Sequence, residues 1–318
     1  MTLDNILEEI KKAEKIVILT HELPDGDAVG SSLAMMATLK SIGKEADVII
    51  PEYSSCFEFL PGTNEIKKET DVQKYDLAIA LDCADGKILC GNERYFEKAK
   101  TKIVIDHHSS NKMYGDFNFV NPVSPACCEV LIGMLDYFGI EITKDIGTCL
   151  ITGIITDTGG FNYNVNAETF DFAAMLLRKG IKISDVYGKV LKTKTKANFE
   201  LTRVANDRLE FLEDGKIAFT YITDEDEKRF NAKMGDHEGL VENGRDIEGV
   251  EISIFLHGVD NKPNGYKVSL RSKDYVNVSD ICIMFGGGGH PRAAGAFITG
   301  TIDQIKEKIL IEARKQLK

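Results

Sequence analysis

Short apolar runs without polar alternation recur in the first half of the chain. Such runs are typical of strands buried on both faces of a parallel sheet. The predicted strands cover 15–20, 46–50, 76–81 and 102–105. Between and after them, helical periodicity predicts helices over 28–42, 126–138, 145–156, 168–179 and 184–191. This alternation of strands and helices predicts an α/β domain with a mostly parallel sheet.

The pattern changes near Lys192. Segment 192–196 is polar, and 198–209 predicts a helix that could connect two domains. Further on, strands are predicted over 216–223, 250–258, 266–271 and 296–299, with helices over 279–285 and from 303 onward. We therefore predict an N-terminal domain over 1–191, a linker with a connecting helix over 192–209, and a smaller C-terminal α+β domain over 210–318.

Length and charge narrow the function classes. A chain of 318 residues with 43% hydrophobic residues is a natural size for two globular domains. The formal net charge is −11. Long nucleic acids usually meet a basic face, so this charge argues against stable binding of long duplexes. A small anionic substrate stays compatible, because bound divalent cations can reverse the local field.

The cysteines and the apolar segments predict the compartment. The seven cysteines contain no Cys-x-x-Cys pair, which argues against a zinc finger and a thioredoxin-like motif. Cys90, Cys149 and Cys282 lie in apolar stretches and are predicted to be buried thiols, as in a reducing cytoplasm. No apolar run approaches the roughly 20 residues of a membrane helix. We therefore expect a soluble cytoplasmic protein that does not bind a membrane.

The first group of candidate ligands directly follows strand 15–20. His21, Asp25 and Asp27 stand between this strand and the next predicted helix. Ligands of open α/β sheets collect at the carboxyl ends of strands. One imidazole and two carboxylates suit Mn²⁺ and, less selectively, other divalent metals. The alternative is that the aspartates only cap the helix that begins at Ala28.

Two further groups also follow predicted strands. Asp82 comes after strand 76–81, and Asp106, His107 and His108 come after strand 102–105. A lone aspartate at a strand end commonly forms a turn. Asp82 is therefore a candidate metal ligand only because other candidate ligands follow the neighbouring strands. One of the two imidazoles could bind a metal while Asp106 orients it. The alternative is a polar loop that happens to contain histidines.

Asp157 forms the fourth group, at the end of the apolar helix 145–156. A carboxylate at this end opposes the helix macrodipole, and a metal would offset that cost. A simple surface loop is the alternative. Four such groups, three of them after buried strands, are what a two-metal site with one shared carboxylate requires.

The C-terminal domain carries candidate phosphate ligands. The backbone of the glycine run at 286–289 could cradle an anion, and His290 could hydrogen-bond to a phosphate. Arg271, followed by Ser272 at a strand end, offers a bidentate phosphate donor. A flexible glycine loop and a solvated surface arginine are the alternatives.

Taken in order, these motifs resemble those of the DHH phosphoesterases with a C-terminal DHHA1 domain, and most of all the NrnA-like subgroup of nanoRNases and 3′-phosphoadenosine-5′-phosphate phosphatases. The resemblance spans essentially the whole chain. It rests on His21-x-x-x-Asp25-x-Asp27, Asp82, Asp106-His107-His108, Asp157 and Gly287-Gly288-Gly289-His290. The chain departs from the family at Lys87, where family members often carry an arginine. The compact ammonium of lysine there replaces the planar guanidinium of arginine.

The resemblance implies a catalytic DHH domain over 1–191, a substrate-binding DHHA1 domain over 210–318, and an active site in the cleft between them. It also implies two Mn²⁺ ions, with Mg²⁺ or Co²⁺ as alternatives. One ion would be held by His21 and Asp25, the other by Asp27, His107 and Asp157, and both by Asp82.

The remaining implied roles belong to catalysis and to substrate binding. Asp106 would orient a histidine, and His108 would face the phosphate as a general acid. The substrate phosphate or its flanking nucleotide would be bound by Arg271, Ser272, Gly288, Gly289 and His290.

The implied function is hydrolysis of short oligoribonucleotides to mononucleotides, of 3′-phosphoadenosine-5′-phosphate to AMP, or of both. A phosphodiesterase acting on cyclic di-AMP or the linear dinucleotide pApA is the same-class alternative. A catalytically silent nucleotide-binding regulator is the different-class alternative. A pyrophosphatase would leave the glycine–histidine motif unexplained, and a long-chain exonuclease is disfavoured by the acidity of the chain. A homodimer stays open.

Overall fold

A computed structural model describes residues 3–72, 74–89, 92–233, 235–259 and 264–318. The chain divides into two compact units, Met1–Thr193 and Lys194–Lys318. Each unit has its own sheet and its own apolar cores. The α/β class predicted from the sequence is therefore confirmed.

The first unit is built on a five-stranded sheet in the order β2-β1-β3-β4-β5, and every strand pair is parallel. Its strands are β1 (Ile16–Leu19), β2 (Ala46–Ile49), β3 (Leu77–Leu81), β4 (Thr101–Asp106) and β5 (Phe117–Val120). Both faces of the sheet are covered, since Ile16 and Ile18 enter one core while Val17 and Leu19 enter another. The uninterrupted apolar runs reflect this double burial.

Seven α-helices accompany this sheet in the described part of the first unit. They are α1 (Leu3–Lys12), α2 (Gly26–Ser41), α3 (Glu93–Lys98), α4 (Cys127–Tyr137), α5 (Lys144–Asp157), α6 (Ala167–Arg178) and α7 (Ile183–Tyr187). A π-helical turn over Gly188–Lys192 continues α7, and single 3₁₀ turns lie at Ser55–Phe57, Thr63–Glu65 and Gly86–Ile88. Helices α2 and α5 pack closely against each other, and both are largely buried.

The second unit contains a six-stranded mixed sheet in the order β10-β11-β9-β8-β7-β6, in which only the pair β7–β8 is parallel. Its strands are β6 (Glu210–Leu212), β7 (Ile217–Ile222), β8 (Ile252–Gly258), β9 (Gly265–Ser272), β10 (Gly288–His290) and β11 (Ala293–Thr299). Its helices are α8 (Lys196–Asp207), α9 (Asp224–Phe230), α10 (Leu240–Arg245), α11 (Val278–Ile283) and α12 (Ile302–Arg314).

Helix α8 corresponds to the predicted connecting helix and packs on α9 and β7 of the second unit. Thr195 caps its amino end by accepting from the amide of Asn198 at 2.9 Å. The side-chain amide of Asn198 donates to the carbonyls of Asp236 and Glu238 at 3.0 and 2.9 Å. These buried bonds fix the helix to the segment that precedes α10.

The cysteine predictions can be checked at two of the three positions. The thiols of Cys149 and Cys282 are buried, and burial raises the pKa of each to about 12. Cys90 lies outside the described residues. Among the described helices, none is long and apolar enough to cross a membrane.

Candidate metal centre

Strands β1, β3 and β4 are neighbours in the parallel sheet, and each is followed at its carboxyl end by candidate ligands. His21 follows β1, Asp82 follows β3, and Asp106 is the last residue of β4. Parallel strands end on the same edge of a sheet, so the three groups converge there, as the sequence predicted.

Asp25 and Asp27 flank the start of α2, and they face different partners. Asp25 is the helix cap: its Oδ1 accepts from the amides of Asp27 and Ala28 at 2.9 and 3.0 Å. The capping alternative is thus observed for Asp25, but it does not exclude a metal. Ligand atoms of Asp25, His21 and Asp82 lie within 4.8 Å of one another.

Asp27 is completely buried and faces the amino end of α4. Its Oδ2 accepts from the amide of Cys127 at 2.5 Å, and its Oδ1 accepts from the amide of Cys128 at 2.9 Å. Amides in the first turn of a helix have no partner within the helix, so they favour a carboxylate there. The sequence predicted this helix but carried no signal that its first amides would orient Asp27.

Asp82 lies at the centre of the group. Its backbone has a φ of 51°, a left-handed conformation that aspartate tolerates better than most residues. Its Oδ1 is buried and accepts no hydrogen bond from any described residue. Its two oxygens lie 3.6 Å from Nε2 of His21 and 3.3 Å from Nε2 of His107. A carboxylate that touches both histidines occupies the place a bridging ligand needs.

His107 points one ring nitrogen at the backbone and the other at the carboxylates. Its Nδ1 lies 3.3 Å from the carbonyl oxygen of Ser124, which can only accept, so Nδ1 carries the proton. Its Nε2 lies 3.3 Å from Asp157 and 3.9 Å from Asp27. A carbonyl that holds the far nitrogen of an imidazole is a common support of metal-binding histidines.

His108, rather than His107, is the histidine that Asp106 orients through its side chain. Nδ1 of His108 lies 2.7 Å from Oδ1 of Asp106. The same carboxylate accepts from the side-chain amide of Asn111 at 2.6 Å and from the amide of His107 at 2.8 Å. Three protein donors therefore hold the Asp106 carboxylate. Asn111 was not singled out in the sequence, because a single asparagine in a loop carries no signal of its own.

Burial and crowding perturb the ionisation of these groups. Burial, together with the nearby Asp82 carboxylate, raises the pKa of Asp27 to about 7. Burial and the Asp27 carboxylate raise the pKa of Asp157 well above its usual value. Burial opposes the ionisation of Asp82 as well, but His107 and His21 hold its pKa well below the usual value. Buried carboxylates ionise at a high cost when no cation is near. A bound cation would stabilise their ionised form, so such a group favours cation binding.

The donor set fits divalent metal ions. The groups whose ligand atoms lie within 4.8 Å of one another include His21, Asp25 and Asp82, and also Asp27, His107 and Asp157. Carboxylate oxygens with a minority of imidazole nitrogens suit Mn²⁺, Mg²⁺ or Co²⁺. The buried Oδ1 of Asp82, which lacks a donor among the described residues, is the kind of atom a cation would satisfy.

Helix α5 approaches Asp27 so closely that only glycine fits at residue 153. A Cβ atom there would lie 2.3 Å from Oδ1 of Asp27 and 2.4 Å from Sγ of Cys128. We expect Gly153→Ala to displace the Asp27 carboxylate, to weaken Mn²⁺ binding, and to lower turnover by about tenfold or more. Calorimetric titration with Mn²⁺ and a turnover assay would measure both effects.

Gly133→Ala on α4 is the matched control, because a Cβ at Gly133 would meet no atom within 4 Å. Alanine is the better helix former, so this variant should unfold at the same or a higher temperature and keep full turnover. Unchanged Mn²⁺ affinity in Gly153→Ala would show that the position of the Asp27 carboxylate does not matter for the metal.

The second unit holds the predicted phosphate ligands in less open settings than the sequence suggested. Arg271 is not a solvated arginine: its Nε donates to Oε1 of Glu242 at 2.8 Å and its Nη1 donates to the carbonyl of Leu270 at 3.1 Å. Ser272 is buried, and its hydroxyl donates to the carbonyl of Val276 at 2.6 Å. The Ser272 hydroxyl is therefore turned inward, where it holds the chain that follows β9.

The expectation of a loop is wrong for Gly288 and Gly289. They form β10 with His290 and pair antiparallel with β11. Gly289 has a φ of 140°, and a Cβ there would lie 2.5 Å from the carbonyl of Ala293. Glycine is needed at residue 289 because two backbones approach each other closely there, whereas a Cβ at Gly288 would meet no atom within 4 Å. Sequence periodicity cannot distinguish such a close approach from flexibility. Lys87 lies in the 3₁₀ turn after Asp82 and is exposed.

Models of two protein domains match this chain. The N-terminal domain of the DHH family matches residues 15–154, and the DHHA1 domain matches residues 200–318. The first match contains three of the four candidate groups of metal ligands, and Asp157, which forms the fourth, lies just beyond its end. The second match contains Arg271 and the glycine run.

Three relatives show what the chain is similar to. It is 32% identical to the bifunctional oligoribonuclease and PAP phosphatase NrnA of Thermus thermophilus, over 98% of this chain and 94% of that protein. It is 26% identical to the cyclic-di-AMP phosphodiesterase PdeA of Listeria monocytogenes, over 98% of this chain but 48% of that protein. The crystal structure of an exopolyphosphatase-related protein from Bacteroides fragilis matches with a TM-score of 0.88 at 29% identity, over 98% of this chain and 95% of that one.

Proposed function

This chain belongs to the DHH phosphoesterase family with a C-terminal DHHA1 domain, and we propose that it hydrolyses short oligoribonucleotides to mononucleotides and 3′-phosphoadenosine-5′-phosphate to AMP. A full-length relative named for both activities, at 32% identity, supports this pair of substrates. The observation that carries the proposal is the meeting of two groups of metal-ligand atoms at Asp82.

We assign the chemistry to 1–191, with Mn²⁺ as the preferred metal. His21 and Asp25 would hold one ion, Asp27, His107 and Asp157 the other, and Asp82 would contact both. When bound, the ions would neutralise charge on the phosphate and make a water molecule more acidic. The amide hydrogen bonds to Asp27 and the carbonyl contact of His107 keep these side chains in place before any ion binds.

His108 is the proposed general acid. Asp106 engages its Nδ1 at 2.7 Å, which fixes the ring and leaves Nε2 as the nitrogen that hands a proton to the leaving oxygen. Asp106 also stabilises the protonated imidazole. Burial by itself would lower the pKa of His108, but Asp106 and Asp82 raise it above the usual value.

We assign substrate recognition to 210–318, with 192–209 as the connecting segment. Arg271, His290 and the backbone of Gly288 and Gly289 would contact the substrate phosphate or its flanking nucleotide. Ser272 would contribute by fixing the turn after Arg271 rather than by contacting the substrate. The buried thiols of the chain fit a reducing cytoplasm, where we place the enzyme.

A parallel turnover assay with Mn²⁺ tests the proposal. Its panel holds labelled oligoribonucleotides from dimers to long chains, 3′-phosphoadenosine-5′-phosphate, linear pApA and cyclic di-AMP. We expect mononucleotides from the shortest oligomers, phosphate from the bisphosphate, and little turnover of long chains. Preference for the cyclic dinucleotide would move the protein to the alternative that PdeA represents. Silence on every substrate with intact Mn²⁺ binding would favour the nucleotide-binding regulator.

A further inference from the structure

We infer that Glu242 positions Arg271 for the substrate phosphate and thereby sets the affinity of the second unit for a nucleotide. This inference rests on the proposed function, because it concerns the arginine assigned there to phosphate binding. Nε of Arg271 donates to Oε1 of Glu242 at 2.8 Å. Glu242 was not singled out in the sequence, since a glutamate in a short helix is most simply a solvated residue.

The guanidinium of Arg271 is held from two sides. Nε is bound by Glu242, and one hydrogen of Nη1 is bound by the carbonyl of Leu270 at 3.1 Å. An arginine has five N–H donors, and the Nη2 group makes no hydrogen bond to any described residue. The fork is thus fixed in orientation while part of it stays available to a bidentate anion such as a phosphate.

The helix that carries Glu242 is itself rigidly placed. Leu240 and Val241 of α10 are buried in an apolar core, so Glu242, which directly follows them, has little freedom to move. A Cβ at Gly244 would lie 2.4 Å from Oγ of Ser253, which shows how closely α10 packs on β8. A carboxylate on such a helix can hold an arginine in one orientation.

The pair is a poor arrangement for stability alone. Oε2 of Glu242 is buried and accepts no hydrogen bond from any described residue, and Arg271 approaches the carboxylate through only one of its nitrogens. A pair selected for stability would use both oxygens in a bidentate contact. An arrangement that leaves Oε2 without a donor and Nη2 without an acceptor is better explained by the positioning of the guanidinium.

The test compares Glu242→Ala, Glu242→Gln and Arg271→Ala in the full chain with Mn²⁺. We expect Glu242→Ala to raise KM for 3′-phosphoadenosine-5′-phosphate by about tenfold with kcat nearly unchanged, because the contact serves binding in ground and transition states alike. The dissociation constant of AMP, measured by calorimetry, should rise in parallel. Glu242→Gln keeps an acceptor at Oε1 and should restore most of the affinity.

Glu213→Ala is the matched control. Oε1 of Glu213 accepts from Nε of Arg314 at 2.9 Å, the same contact at a place with no proposed substrate role. It should leave KM unchanged, and thermal unfolding should report similar losses for Glu213→Ala and Glu242→Ala.

A double variant separates the two proposals. Adding Glu242→Ala to Arg271→Ala should cause no further rise in KM, because the residue to be positioned is gone. The inference would be overturned if Arg271→Ala raises KM while Glu242→Ala leaves KM unchanged or lowers it. Unchanged turnover in Arg271→Ala would overturn instead the substrate role assigned to Arg271 under the proposed function.

Discussion

Replacement of Asp82 by asparagine is expected to abolish turnover of every substrate and to lower the amount of Mn²⁺ bound. Asp82 is the carboxylate whose two oxygens lie 3.6 Å from His21 and 3.3 Å from His107, so its charge serves both groups of ligands. Electrostatic stabilisation by metals contributes several kcal/mol, so we expect a loss of about a thousandfold or more in kcat. Initial rates and calorimetric Mn²⁺ titration measure the two effects.

Asparagine is the informative substitution because it keeps the shape of the side chain and tolerates the left-handed backbone of residue 82. Asp76→Asn serves as the control. Asp76 directly precedes the same strand at its amino end, where it pairs with Lys100, so it lies at the opposite end of β3 from Asp82. It should keep full turnover. An Asp82→Asn enzyme with normal rates and normal Mn²⁺ content would refute the two-metal scheme.

The ligands at the edge of the first sheet could be predicted from the sequence, because each one directly follows a strand that its own apolar residues identify. Strand β3 reads as an apolar run since both of its faces are buried, and Asp82 is the first residue beyond it. The same reasoning places His21 after β1. Parallel strands then bring these residues to one edge, so periodicity alone leads to the site. Strand β5 was missed because its residues are only half-buried, so it lacks such a run.

The parts that could not be predicted depend on contacts between distant residues. The amides of Cys127 and Cys128 hold the carboxylate of Asp27, although they lie 100 and 101 positions further along the chain. Nothing in the residues around Asp27 encodes that partner. Gly153 is likewise an ordinary helical glycine until α2 approaches it. The glycines of β10 resemble a flexible loop in the sequence, because the neighbour that requires glycine at residue 289 is the backbone of β11.

The capping and metal hypotheses for Asp25 show a third limit. Both hypotheses assign a role to the same carboxylate at the start of α2, and the sequence could not decide between them. The structure shows why the choice was a false one. One oxygen of Asp25 caps α2, and the cap fixes the carboxylate beside His21 and Asp82. A local structural role thus prepares the geometry that a metal would use.

Replacement of His108 by glutamine is expected to lower kcat for 3′-phosphoadenosine-5′-phosphate by about a hundredfold to ten-thousandfold, the range for loss of a general acid. The leaving oxygen of this substrate is a poor leaving group, so it needs a proton, which His108 would supply under the proposed function. A nucleotide ester with a p-nitrophenyl leaving group needs no proton, and the same variant should hydrolyse it at nearly the normal rate. Steady-state rates on both substrates measure the difference.

The comparison of the two substrates also separates acid catalysis from metal binding. Nδ1 of His108 lies 2.7 Å from Asp106 and 3.6 Å from Asp82, so a ligand role is the competing explanation. A metal ligand would be needed for both leaving groups, and its loss would reduce Mn²⁺ content. Equal losses on both esters with less bound Mn²⁺ would therefore reject the acid role. His237→Gln, whose imidazole lies 3.0 Å from Glu227 in the second unit, should leave both rates unchanged.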